Sequence, residues 1–473
     1  MERIRLPILL IMCIYTVTLI SCIKEKTIID DTNTETNGTK EVSFTASMPG
    51  LSQNISTYAI SDNEENKVTT IDILVFEMTG STEKYAYRVA GRNIRPLTAN
   101  SIQFQATLQA HATKKYRLVA IANARTTVNA ASYTVGALKS DILKNLVINK
   151  PGVWNTTSSA DYSPLPMSGE SEPNLSINSN TGSIALNMIR IQARVDVIVE
   201  PTLITRFQMT SISVYNSNSN ARIAPSATTT GSNGPIVTAP SLPASPQINS
   251  SPLVYIPDPV TPPNTVNSRQ QIYLFEKNAA ASAGASGALS LIIGGYYDGS
   301  STETYYKLEF LSKEAAPIPL AVLRNHKYEF KIKEVSGAGY PTKEAALTGK
   351  PSNIQGSVVT LNLSDMPIIY FDEHYYLAME TDLVNYPTNQ AKGQFYKIKT
   401  DFPGGWTWTS DQPSWLSMNP YNNGTSDGAN ISVEINQGNP VPRHGILTIT
   451  AGKIRARIKV YQGYGTNPLP IIP

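Results

Sequence analysis

The sequence predicts an all-β protein built from β-sandwiches, with one small helix. Three observations carry this. Apolar and polar residues alternate with period two in one short run after another, the pattern of half-buried strands. Turn residues separate most of these runs. Helical spacing occurs over 135–146, where Val135, Leu138, Ile142 and Leu146 share a stripe. At roughly 100 to 200 residues per domain, 473 residues leave room for two to four domains.

The N-terminus reads as an export signal. Arg3 and Arg5 precede an apolar run over 6–20 that closes on Leu19-Ile20-Ser21-Cys22. A membrane span needs about twenty apolar residues, and this run is shorter and interrupted by Tyr15, Thr16 and Thr18. The string resembles the lipobox of bacterial lipoproteins, which implies acylation of Cys22, removal of 1–21 and a lipid anchor in a membrane. The only cysteines are Cys13 and Cys22, so no disulfide is expected in the mature monomer and the cores must hold the fold. Loss of the signal would leave 37 basic and 35 acidic residues, a net charge of +2. That balance argues against a nucleic-acid partner.

Residues 22–40 are polar and read as a tether. Val42, Phe44, Ala46 and Met48 then alternate with Ser43, Thr45 and Ser47, a half-buried first strand. Further strands are expected over 70–78, a near-continuous apolar run that predicts burial on both faces, and over 102–108, 116–122, 183–199, 211–215, 288–293, 305–310 and 327–333. Ten of the 32 prolines fall within 216–264, which predicts a long surface excursion inside a domain. Residues 279–287, almost wholly Ala, Ser and Gly, predict a flexible loop, and 336–352 the approach to a domain boundary. An aromatic-rich unit follows, holding three of the four tryptophans. In its last strand Ile454, Ala456, Ile458 and Val460 alternate with Arg455, Arg457 and Lys459, placing three cations on the solvent face.

Several motifs, in order, resemble the fimbrillins, the lipoprotein-derived subunits of Bacteroidetes fimbriae. They are Ile71-Asp-Ile-Leu-Val-Phe76 with Tyr85 and Tyr87, Tyr116-Arg-Leu-Val-Ala-Ile-Ala-Asn123, Leu165-Pro-Met-Ser-Gly169, Met188-Ile-Arg-Ile-Gln-Ala-Arg-Val195, and Arg324-Asn-His-Lys-Tyr328 through Gly339. The resemblance implies two fimbrillin-type β-sandwiches in tandem, 41–178 and 179–366, exported as a lipoprotein. Trp406-Thr-Trp-Thr-Ser410, Pro413-Ser-Trp-Leu416, Arg443-His-Gly-Ile-Leu-Thr-Ile449 and Ile458-Lys-Val-Tyr-Gln462 are similar to the BACON domain. That similarity implies a small immunoglobulin-like sandwich over 367–463 with a suspected carbohydrate-binding role, and leaves 464–473 as a tail.

No catalytic constellation emerges. Gly424-Thr-Ser-Asp-Gly428 has the spacing of a nucleophile elbow but lies between strands, where the elbow needs a strand before it and a helix after. The glycines of 294–300 have phosphate-loop spacing, but Ser300 stands where the lysine must be. His111, His326, His374 and His444 are far apart and form no helical metal pair. The chain is therefore read as a non-enzyme with no metal and no cofactor. Trp406 and Trp408 share one face of a strand; exposed, they would stack on sugar rings, and turned inward they would be core. Tyr421 and Tyr464 are secondary sugar-binding candidates, and core is the expectation for Trp415.

The expected function is that of a cell-surface fimbrial lipoprotein of the outer membrane with a role in adhesion. The alternative is a glycan-binding outer-membrane lipoprotein that does not polymerise. In the mechanism the fimbrillin resemblance implies, a protease cuts after an arginine near the first strand and the freed groove accepts a strand from a neighbouring subunit. No arginine lies between Cys22 and Arg88; Lys40, expected just ahead of the first strand, could serve a lysine-directed protease. The last residues, Asn467-Pro-Leu-Pro-Ile-Ile-Pro473, are rich in prolines that delete ladder donors. These departures favour a tip, accessory or anchor position over a repeating stalk.

Overall fold

The structure is a computed structural model that describes residues 38–48, 62–98, 100–156, 162–231, 234–257, 267–312, 317–362, 366, 368–371, 375–390, 392–419, 423–424, 429–435, 438 and 441–465. Cys22 with the whole expected signal, most of the expected tether, His374, Tyr421 and residues 425–428 of the Gly-x-Ser-x-Gly string lie outside these residues. Strands dominate, and among the described residues no helix is long and apolar enough to cross a membrane.

Three blocks of sheet follow one another. The first is a nine-stranded sheet. From one edge its order is Thr82–Ala90, Ile71–Thr79, Lys115–Ala122, Met167–Glu170, Ile184–Arg190, Thr39–Ser47, Ser101–Gln109 and Arg92–Thr98, with Leu175–Ser176 paired to Lys115–Ala122. Alternation puts Val42, Phe44, Ile73, Val75, Phe104, Leu118 and Leu186 into one core. The opposite faces of the two apolar strands, Leu74 with Phe76 and Val119 with Ile121, enter a second core with Ile142, Leu143, Trp154, Ile223 and Phe275. Ile71–Thr79 is thus buried on both faces, which is why it reads as a continuous apolar run.

The second block is a sandwich. One four-stranded sheet orders Asn267–Phe275, Gln192–Val199, His326–Val335 and Ile354–Asn362; the other orders Leu253–Tyr255, Phe207–Tyr215, Ser290–Tyr297 and Glu303–Glu309. Val195, Val197, Ile212, Val214, Ile293 and Phe330 fill the space between them. The third block pairs two five-stranded sheets around Trp406, Trp415, Leu447, Ile449 and Ile458. Within it, Ile454–Gln462 buries Ile454, Ala456, Ile458 and Val460 and leaves Arg455 and Arg457 exposed.

Four expectations are corrected. The run 183–199 is two strands, because the chain bends at Ile191, whose N–H donates to the Pro166 carbonyl at 3.1 Å, and passes from the first block to the second. The helix expected over 135–146 is only Lys139–Lys144. Gly136 has a positive φ of 83° and Leu138 is extended, so Val135 and Leu138 stay exposed while Ile142 and Leu146 bury. The proline-rich span 216–264 is not wholly a surface excursion. Asn220–Arg222 pairs with Val147–Asn149, and Ala221, Ile223 and Ala224 enter the second core. Its prolines stop long strands yet leave short apolar clusters free to pack. Finally, 336–352 is a connection within the second block: it carries the helix Lys343–Thr348, capped by the Thr342 hydroxyl on the Ala345 N–H, and leads to Ile354–Asn362, antiparallel to His326–Val335.

Candidate functional site

The first strand occupies an interior slot of the nine-stranded sheet. Thr39–Ser47 runs antiparallel to Ser101–Gln109 from Thr39 opposite Gln109 to Ser47 opposite Ser101. On its other side it runs parallel to Ile184–Arg190, with Phe44 opposite Ile184. Val42, Phe44 and Ala46 are fully buried with Tyr87, Leu118, Leu186 and Met188. Phe44 stacks on Phe104 with ring centroids 4.8 Å apart. In the same core, burial pushes the Tyr116 phenol up to about 12, and the Glu77 carboxylate adds to the shift. The outer face is polar. Gln103 Nε2 donates to Ser43 Oγ at 3.2 Å, and Arg92 pairs with Glu41. Emptied of this strand, the slot would present two backbone ladders and apolar pockets at alternate positions, the geometry that accepts an added strand.

Lys40 is not ahead of this strand. It is the strand's second residue, opposite Leu108, and its Nζ donates to the Ser179 carbonyl at 2.9 Å. A cut after Lys40 would leave Val42, Phe44, Ala46 and Met48 attached to the rest of the chain, so it would not empty the slot.

A second feature has no motif in the sequence. A chain of buried ion pairs starts at Glu65 in the first block, runs along one face of the second and ends at Asp401 in the third. Arg194 meets Glu65 at 3.2 Å and Asp196 at 2.9 Å; Lys327 meets Asp196 at 3.0 Å and Glu329 at 2.8 Å. Lys331 lies 3.5 Å from Glu329 and contacts Asp401. Burial works to raise the Asp196 carboxyl, but Arg194 and Lys327 hold it well below the ordinary range. Burial likewise acts on Glu329 and is outweighed by Lys327 and Lys331. Asp401, where burial prevails, is raised. The signal in the sequence is the charge at every second position, Arg194 and Asp196, then Lys327, Glu329 and Lys331. Such a pattern ordinarily marks a solvent face, so the alternation by itself does not reveal a buried row.

The tryptophans divide. Trp406 is 0 % exposed, so no face of its indole is open to a sugar ring, and the two-indole platform is not formed. Trp408 is half-buried against the same core, while Thr407 and Thr409 face solvent on the other side of the strand. Trp415 is buried, with Arg443 stacked 4.1 Å over its ring. The described histidines do not come together. His111 follows a strand of the first block, His326 lies in the second and His444 in the third. Among the described residues no group of His, Cys, Asp or Glu has the arrangement of a metal site.

A family model for the fimbrillin-A associated anchor proteins Mfa1 and Mfa2, named Mfa2, matches residues 41–282. That span is more than half of the chain. The chain belongs to the Mfa2 family. The matched span opens at Glu41 in the first strand and takes in the whole nine-stranded sheet from there, so the slot belongs to the Mfa2 region. The major fimbrium tip subunit FimE of Porphyromonas gingivalis is 24% identical over 246 residues, 48% of this chain and 42% of FimE. The match thus spans less than half the length of that relative. A fimbrial assembly protein from Parabacteroides distasonis is a similar solved structure, with 14% identity, 69% of this chain and 97% of that one covered, and a TM-score of 0.36.

Proposed function

We propose that this Mfa2-family chain is a lipid-anchored, surface-exposed outer-membrane subunit at one end of a fimbrium, an anchor, accessory or tip component with a role in adhesion, and not a repeating stalk unit. The observation that carries the reading is the occupied slot. A stalk unit must vacate such a slot to receive its neighbour's strand, whereas here Thr39–Ser47 fills it with a fully buried face and a continuous ladder on one side. No arginine stands between Cys22 and Arg88 for release of that strand, and Lys40 lies within it. A subunit that keeps its first strand can still donate a strand or edge to a neighbouring subunit, and so cap or root a polymer. Cys22, at the end of the lipobox-like string, would supply the attachment to the membrane. The two five-stranded sheets of the third block fit the small sandwich implied by the BACON resemblance.

Immunogold microscopy of native cells tests the proposal. Label at filament ends or at their base on the membrane is the expected result. Label at regular intervals along filament shafts would overturn it, and label on cells without any filament would favour the non-polymerising alternative.

A further inference from the structure

We propose that Lys331 and Asp401 become joined by an intramolecular amide bond that covalently ties the second block to the third. Such a bond forms without an enzyme or cofactor when four conditions meet: an amine and a carboxyl in contact, a neighbouring carboxylate to carry protons, a donor on the carboxyl oxygen that stays, and a surrounding that keeps water out.

All four are present. Lys331 stands in His326–Val335 with its side chain 4 % exposed, and Asp401 follows Lys392–Thr400 with its side chain 14 % exposed. Lys331 Nζ contacts Asp401 Oδ2. Glu329, two residues earlier on the same strand face, is 1 % exposed. Its Oε2 accepts from Lys327, while Oε1 lies 3.5 Å from Lys331 Nζ and makes no hydrogen bond. Asp401 Oδ1 accepts the backbone N–H of Tyr376 at 2.8 Å. The rings of Tyr375 and Tyr376 stand 5.4 and 5.8 Å from Nζ. Burial favours the acid form of Asp401, the form an amine can attack.

The steps balance. Glu329 Oε1 takes a proton from the Lys331 ammonium and hands it to Asp401 Oδ2, which turns the carboxylate into the acid, and the freed lone pair of Nζ attacks Asp401 Cγ. The C–N bond forms as the Cγ=Oδ1 electrons move onto Oδ1, facing the Tyr376 N–H. When the carbonyl re-forms, the Cγ–Oδ2 bond breaks. Two protons have left Nζ by then, carried by Glu329 to Oδ2, which departs as water. Glu329 returns to its carboxylate, and one positive and one negative charge have become a neutral amide. Contact between the reactants substitutes for an effective concentration of about 10⁵–10⁸ M, and exclusion of water hinders the reverse hydrolysis.

Intact-mass measurement of the purified full chain tests this, with peptide mapping to define its N-terminus. The folded protein should be lighter than its sequence by one water molecule, and proteolysis should yield a branched peptide joining the segments of Lys331 and Asp401. Glu329→Gln, which removes the proton carrier, and Lys331→Arg, which keeps the cation but not the nucleophile, should both restore the full mass. A folded wild-type chain of unreduced mass would reduce the contact to an ion pair and overturn the proposal. So would a lost water that maps to another site, such as the Asp298-Gly299 step. The wild-type result decides the matter even if a variant fails to fold.

Discussion

Phe44 lies flat on Phe104, ring centroids 4.8 Å apart and planes within 6°, and the two residues are also direct partners across the antiparallel ladder. One contact thus joins the first strand to its neighbour by backbone register and by side-chain packing together. It marks the depth at which the slot is held shut.

Phe44→Ala removes that stack and leaves a cavity in a core with no exposed face. The expected loss is about 3–5 kcal/mol, a large part of the stability of a typical domain. A denaturant melt of the variant checks it. A change under about 1 kcal/mol would show that the first strand is loosely held and the slot easily emptied.

The buried ion pairs make stability sensitive to acid. Asp196 and Glu329 are held below their ordinary values in the folded protein, so the stability they contribute is present above the unfolded carboxyl range, about 4, and is lost as pH falls through their folded values. Melting temperatures measured across pH should fall steeply on the acid side. Asp196→Asn should flatten that acid limb, and at neutral pH should cost about 3–5 kcal/mol by leaving Arg194 and Lys327 without their shared carboxylate. An unchanged acid limb in the variant would refute the assignment.

Trp406→Ala should unfold or severely weaken the third block, at about 3–5 kcal/mol, whereas Trp408→Ala, at a half-buried position, should cost less. Thermal melts of the two single variants separate them. Equal and small losses would mean that neither indole is core.

Cys22→Ala should abolish acylation and move the chain out of the membrane fraction. Incorporation of labelled palmitate, together with fractionation, gives the readout. A variant that still takes up label and stays with the outer membrane would place the anchor elsewhere.

Arg324 is fully buried, with its guanidinium donating to the Arg222 and Ile223 carbonyls and to Glu276 at 2.7 to 2.8 Å. Arg324→Ala should therefore release the proline-rich span and expose it to limited proteolysis between 223 and 257, with a loss of about 3–5 kcal/mol from the stranded Glu276. A digestion pattern matching the parent's would show that the span is held by its apolar clusters alone.

Strand identity was legible in the sequence wherever one face is core and the other is not. Val42, Phe44 and Ala46 announce the first strand, and Ile454, Ala456 and Ile458 the last, because period two is a local property of an extended backbone. The string ending at Cys22, which reads as an export signal, is equally local, since that reading depends on neighbours in sequence alone. Partnership across the fold is different in kind. That Thr39–Ser47 lies between Ser101–Gln109 and Ile184–Arg190, and so fills a slot, follows from pairings of residues more than fifty positions apart. Arg194, Asp196, Lys327, Glu329 and Lys331 alternate just as a solvent face would, yet in the fold they are a buried row of charges that meets Glu65 at one end and Asp401 at the other. Trp406 and Trp408 share one face by their spacing, but spacing cannot say whether that face meets water or the opposing sheet. Period decides which residues point together, and tertiary packing alone decides what they point at.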